Sequence, residues 1–192
     1  MSISLSKGQQ VALVKPGGGT PGVVRMGLGW DADGRKGRPE GVRTHAVDLD
    51  ASCMLFNAAG ELVDSIWFRN LTSEAGAVVH SGDNVSGSGE GDDESITVDL
   101  AKVPDGVSHL VFTVNSFSGH RLSKVDNAFC RLVDADSGDE LARYDLSIST
   151  EQAAQIMAKV SRGEEGWTMT AIGAECAGRT FKDLLPAVSP HL

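Results

Sequence analysis

Basic residues are scarce in this chain. Seventeen lysines and arginines stand against 26 aspartates and glutamates, giving a formal charge of −9 over 192 residues. Phosphate backbones are held by basic patches, so this balance argues against a nucleic-acid partner and favours cations. Cysteine is scarce as well. Cys53, Cys130 and Cys176 are odd in number and far apart, which suits neither a disulfide framework nor a zinc cluster. No run of 18 apolar residues exists, so no membrane-spanning helix is expected. The start, Met1-Ser2-Ile3-Ser4-Leu5-Ser6-Lys7-Gly8, has no basic head leading into a long apolar run, so no signal peptide is read there and the expected location is the cytoplasm. A nucleophile elbow, a phosphate-loop glycine motif and a dinucleotide fingerprint are all missing. The histidines His45, His80, His109, His120 and His191 share no transition-metal spacing.

Glycine, by contrast, is abundant at 23 residues, which implies many turns and close backbone approaches. Between the turns the chain reads mostly in period two, the strand signature. Strands are predicted over 11–14, 23–30, 47–56, 61–68, 77–80, 95–100, 107–117, 128–134, 140–144 and 167–173. Asn57-Ala58-Ala59-Gly60 and Asp136-Ser137-Gly138-Asp139 have the composition of tight turns. Two stretches read as helix. Over 150–162 the apolar Ala153, Ile156, Met157 and Val160 fall at helical spacing, and a shorter helix over 180–185 stops before Pro186. The expectation is a mainly β protein, an antiparallel β-sandwich with one or two short C-terminal helices. No linker divides it, so residues 1–192 read as one domain, with 31–44 as a mobile loop and 187–192 as a frayed tail.

The segment that carries chemistry is His80-Ser81-Gly82-Asp83-Asn84-Val85-Ser86-Gly87-Ser88-Gly89-Glu90-Gly91-Asp92-Asp93-Glu94. Its residues 83–94 hold five carboxylates, one carboxamide and three glycines, and no basic residue. Like charges so close repel one another, and a hard cation with six to eight oxygen ligands would relieve them. The twelve-residue spacing of Asp83 and Glu94 invites an EF-hand reading, which fails because Val85, Gly87 and Ser88 stand where oxygen ligands and then glycine are required. A solvated acidic loop is the plain alternative. Asp48 and Asp50 tip the balance towards a cation, because they lie two apart on a predicted strand and so leave the same face. Asp31 could add a further carboxylate, although a turn residue is its plainer role. Cys53 and Cys130 sit in apolar strand contexts and read as buried thiols, whereas Cys176 is the candidate for an exposed, reactive one.

These residues resemble a known family. Gly27-Leu28-Gly29-Trp30-Asp31, Asp48-Leu49-Asp50-Ala51-Ser52, His80-Ser81-Gly82-Asp83-Asn84 and Gly91-Asp92-Asp93-Glu94 look like the TerD family of bacterial tellurium-resistance and stress-response proteins. Val125-Asp126-Asn127-Ala128-Phe129 and Leu141-Ala142-Arg143-Tyr144 extend the match, and Gly178-Arg179-Thr180 points to the TerZ branch. The resemblance implies a calcium-binding β-sandwich without known catalytic activity, in the cytoplasm or at the inner membrane face. It implies two calcium ions held by Asp48, Asp50, Asp83, Asn84, Asp92, Asp93 and Glu94, with the carbonyls of Gly87 and Gly89 and with Asp31. Glu90 departs from the family, which usually has aspartate there.

Two functions follow as expectations. The first is a non-enzymatic calcium-binding module of a tellurite or chemical-stress response, acting by calcium-dependent assembly with other stress-response proteins. The second is a metal-dependent hydrolase or redox enzyme using the same acidic site. Hard oxygen ligands without a paired histidine or an activated nucleophile favour the first.

Overall fold

A computed structural model describes residues 3–4, 8–13, 19, 21–31, 47–85, 91–125, 127–145 and 151–192. In chain order the strands are β1 (Ile3–Ser4), β2 (Gln10–Ala12), β3 (Val23–Gly29), β4 (Leu49–Phe56), β5 (Leu62–Ile66), β6 (Val78–His80), β7 (Glu94–Asp99), β8 (His109–Ser116), β9 (Phe129–Asp134), β10 (Glu140–Asp145), β11 (Ala154–Gly163) and β12 (Gly166–Cys176), followed by one helix, α1 (Phe181–Val188). They form two six-stranded sheets. Sheet A runs β1-β10-β9-β3-β7-β6 and sheet B runs β2-β12-β11-β8-β4-β5. All pairs are antiparallel except β1 beside β10. The expected β-sandwich is therefore the observed fold.

Alternation along the strands explains the layers. In β4, Leu49, Ala51, Cys53 and Leu55 enter the core between the sheets, while Met54 and Phe56 join a second cluster on the far face of sheet B. Helix α1 covers that far face with Phe181, Leu184 and Val188. Every residue of β4 is consequently buried. The Asn57 turn forms as its composition predicts, because Asn57 Oδ1 accepts the backbone N–H groups of Ala59 and Glu61.

Three expectations are corrected. The stretch read as a helix over 150–162 is occupied from Ala154 by strand β11, a central member of sheet B. Its register shifts between Ile156 and Ala158 against both neighbours, a β-bulge at Met157. The bulge moves the side-chain alternation by one residue. Ala154 and Ile156 thus face α1, whereas Met157, Ala158 and Val160 face the inter-sheet core. Two apolar faces broken by a bulge imitate the spacing of one helical face.

The C-terminal tail is not frayed. Helix α1 runs through Pro186 to Val188, a 3-10 turn follows at Ser189–His191, and Leu192 packs against the second cluster. Pro186 removes one backbone donor, but burial of Leu184 and Val188 on sheet B outweighs it. Cys176 is buried with the helix rather than exposed, and burial pushes its thiol up to about 11, which disfavours the thiolate a reactive cysteine needs. Of the expected mobile loop 31–44, only Asp31 lies among the described residues, where it is exposed.

Candidate metal centre

Asp48 immediately precedes β4 and Asp50 lies in it, so the strand period puts both side chains on the helix-facing side of sheet B. Asp83 comes from the β6–β7 connection, at the edge of sheet A. One carboxylate oxygen from each of these three residues lies within 4.8 Å of the others. Two segments that are distant in sequence therefore meet at one end of the sandwich. At such separations each pair of unit charges repels by between about 1 and 4 kcal/mol, depending on local screening.

The surroundings do little to offset this. Among the described residues no ion pair reaches Asp48, Asp50 or Asp83. Asp50 is buried, and its Oδ2 accepts one hydrogen bond from Asn115 Nδ2 at 2.9 Å. Burial first, then the charges of Glu94, Asp48 and Asp83, push the Asp50 carboxyl up from its ordinary 3.8 to about 7. Burial and the Asp83 and Glu94 charges also raise Asp48, whose Oδ1 is buried without a hydrogen-bond partner. A neutral hydrogen bond contributes only about 1 kcal/mol, so Asn115 alone cannot hold three carboxylates ionised together. The cluster wants a proton or a cation. Hard carboxylate oxygens and an orphaned buried acceptor suit calcium, whose ligands stand at about 2.3–2.6 Å.

The other acidic residues have different positions. Asp93 Oδ2 accepts the Trp30 N–H at 2.9 Å and its Oδ1 takes Asn84 Nδ2 at 3.3 Å, tying the end of β3 to the acidic loop. Burial raises the Asp93 carboxyl, the Trp30 hydrogen bond opposes this, and the charge of Asp31 adds to the rise. Asp31 in turn accepts a hydrogen bond from Asn127 Nδ2. Asp92 points elsewhere. It lies over Gly27, where any Cβ would meet its Cγ at 2.3 Å, and it pairs with Arg131 Nε at 2.7 Å and Arg25 at 3.6 Å. Glu94 sits fully buried behind the trio. Gly87, Gly89 and Glu90 lie outside the described residues.

Two polar residues around this centre were missed by sequence reasoning. Asn115 faces Asp50 across the β4–β8 register, 65 residues away in sequence, and also donates to the Arg179 carbonyl at 2.7 Å. No local pattern signals such a pairing. His80 opened the acidic segment, yet its sequence context offered no role. It proves to be wholly buried, with both ring nitrogens bonded to backbone.

A two-sheet β-sandwich with an acidic end, built where a sheet-edge connection meets a central strand of the opposite sheet, defines the class of protein. The TerD domain model matches residues 1–186, and the chain belongs to the TerD family of tellurium-resistance and stress-response proteins. Tellurium resistance protein TerZ of Serratia marcescens is 45% identical over 184 residues, 95% of this chain and 94% of that protein. General stress protein 16U of Bacillus subtilis is 39% identical, with 93% of each chain covered. The crystal structure of a TerD homologue from Streptomyces coelicolor shares the fold at a TM-score of 0.70 and 18% identity, covering 85% of this chain and 94% of that one. Among the described residues no helix is long and apolar enough to cross a membrane.

Proposed function

We propose that this chain is a non-catalytic calcium-binding module of a bacterial tellurite or chemical-stress response, located in the cytoplasm and acting by calcium-dependent assembly with other stress-response proteins. The observation that carries the reading is the convergence of Asp48, Asp50 and Asp83 within 4.8 Å, with a buried, unpartnered Asp48 oxygen among them. Such a constellation is costly while ionised and empty of charge compensation, and a divalent cation compensates it more fully than one proton can. The names of the TerZ and stress-protein relatives support the stress-response setting. One ion fits the Asp48/Asp50/Asp83 group, and a second is the expectation the family resemblance adds.

Titration of the metal-free protein with calcium, followed by calorimetry, tests this. Saturable binding that disappears in Asp83→Asn is expected. Absence of heat at millimolar calcium would remove the calcium reading.

A further inference from the structure

Glu94 has no exposed surface, and backbone N–H groups occupy both of its oxygens. Oε2 accepts the Ala51 N–H at 2.8 Å and Oε1 accepts the Asn84 N–H at 3.1 Å. Those two amides belong to the residues directly after Asp50 and Asp83. One carboxylate therefore bridges the two segments that bring the acidic trio together. Its own backbone is fixed as the first residue of β7, paired with Leu28 of β3.

The bridge fills a gap in sheet B. Strand β5 pairs with β4 only from Cys53 onward, so on the side away from β8 the peptide groups at Ala51 have no strand beside them among the described residues. Glu94 takes the Ala51 N–H, and His80 Nε2 donates to the Ala51 carbonyl at 3.1 Å. His80 Nδ1 accepts the Gly82 N–H at 3.0 Å, which leaves the ring proton on Nε2 and holds the connection that leads into Asp83. Two side chains from β6 and β7 of sheet A thus stand in for a missing strand of sheet B.

We propose that Glu94, braced by His80, is a positioning residue that sets the spacing between Asp50 and Asp83 and is not itself a metal ligand. Each Glu94 oxygen already accepts a backbone N–H, and no Glu94 oxygen belongs to the group of Asp48, Asp50 and Asp83 oxygens that converge within 4.8 Å, so Glu94 supports the cation position from behind. The positioning role stands on the hydrogen bonds alone, whereas the statement about ligation rests on the calcium reading of the site.

The two roles predict opposite signs in the metal-free protein. Asp48→Asn, Asp50→Asn and Asp83→Asn each remove a repelling charge, so in EDTA at pH 8 they should melt above the wild type. Glu94→Gln puts an NH2 against one of two N–H groups and should melt below it, with faster amide exchange at Ala51 and Asn84. In a terbium titration read by luminescence, Glu94→Gln should bind about 10- to 100-fold more weakly, the range typical of lost supporting contacts. Its saturated site should keep the wild-type number of bound waters. His80→Phe, which leaves the carboxylate in place, should move all three readouts in the same direction and serves if Glu94→Gln does not fold. Glu94→Gln melting with the aspartate variants, or gaining bound water at saturation, would make Glu94 a ligand and overturn the proposal. Unchanged terbium affinity would reduce it to a purely structural residue and overturn the positioning role. A wild type that binds no terbium would sink the cation reading, while the melting and exchange results would still decide whether the bridge exists.

Discussion

Asp50 has a strand-dictated place and an uncomfortable environment, and its protonation should register in stability. Its carboxyl is pushed up to about 7 in the folded chain, whereas the unfolded chain releases that proton near 3.8. Between these values the native state binds more protons, so stability contributed by Asp50 is fully present below about pH 4 and is lost as pH rises through about 7. In chelator, the melting temperature should therefore fall between pH 5 and pH 8, and Asp50→Asn should flatten that slope. An unchanged slope in Asp50→Asn would place the titration elsewhere. Asp92 should behave in the opposite way from the trio. Asp92→Asn removes the charge paired with Arg131 and should cost about 1–3 kcal/mol in urea denaturation, the range for hydrogen bonds to charged groups, while calcium affinity is retained. Gly27→Ala should mimic part of that loss, because its Cβ and the Asp92 carboxylate cannot share the same space.

Strand β11 and helix α1 illustrate how packing overrides local appearance. Ile156 and Leu184 belong to the cluster between sheet B and α1, whereas Met157 belongs to the inter-sheet core. Each of Ile156→Ala, Met157→Ala and Leu184→Ala should cost about 2–5 kcal/mol. The pairings separate a bulged strand from a helix. Ile156→Ala combined with Leu184→Ala should deviate from additivity by about 0.5 kcal/mol or more, and Met157→Ala combined with Leu184→Ala should add within about 0.5 kcal/mol. A helical face over 150–162 would instead couple Ile156 and Met157 to the same partners. Amide protection at Val188 and Ser189, whose N–H groups lie beyond Pro186, would further show that the helix does not end at the proline.

Across the whole molecule, the acidic end joins sheet A to sheet B. Asp83 and Glu94 come from the β6–β7 side of sheet A, and Asp48 and Asp50 from sheet B. A cation held there binds only a chain in which both sheets are assembled, so it stabilises by mass action. At a hundredfold excess over Kd the gain in unfolding free energy should be about 2.7 kcal/mol. Melting with and without calcium checks this, and equal melting temperatures would contradict it. Asp83→Asn should abolish the gain because it removes the sheet A contribution to the cluster.

Much of this arrangement was legible along the chain. Period-two patterning exposed most of the strands, because a residue buried on one sheet face must alternate with its neighbours. The acidic run after His80 and the Asp48/Asp50 pair were visible for the same local reason, as like charges at close sequence spacing. What lay beyond the sequence was every feature set by a partner remote in the chain. The bulge at Met157 changes face only because β8 and β12 flank it. Helix α1 passes Pro186 because sheet B offers a surface to cover. The acidic residues, one run and one separate pair in the sequence, regroup in space into the trio, the bridge at Glu94 and the Arg131-bound Asp92. Sequence spacing fixes which carboxylates are neighbours along the backbone, but only the pairing of strands and the stacking of sheets decides which way each one faces and what neutralises it.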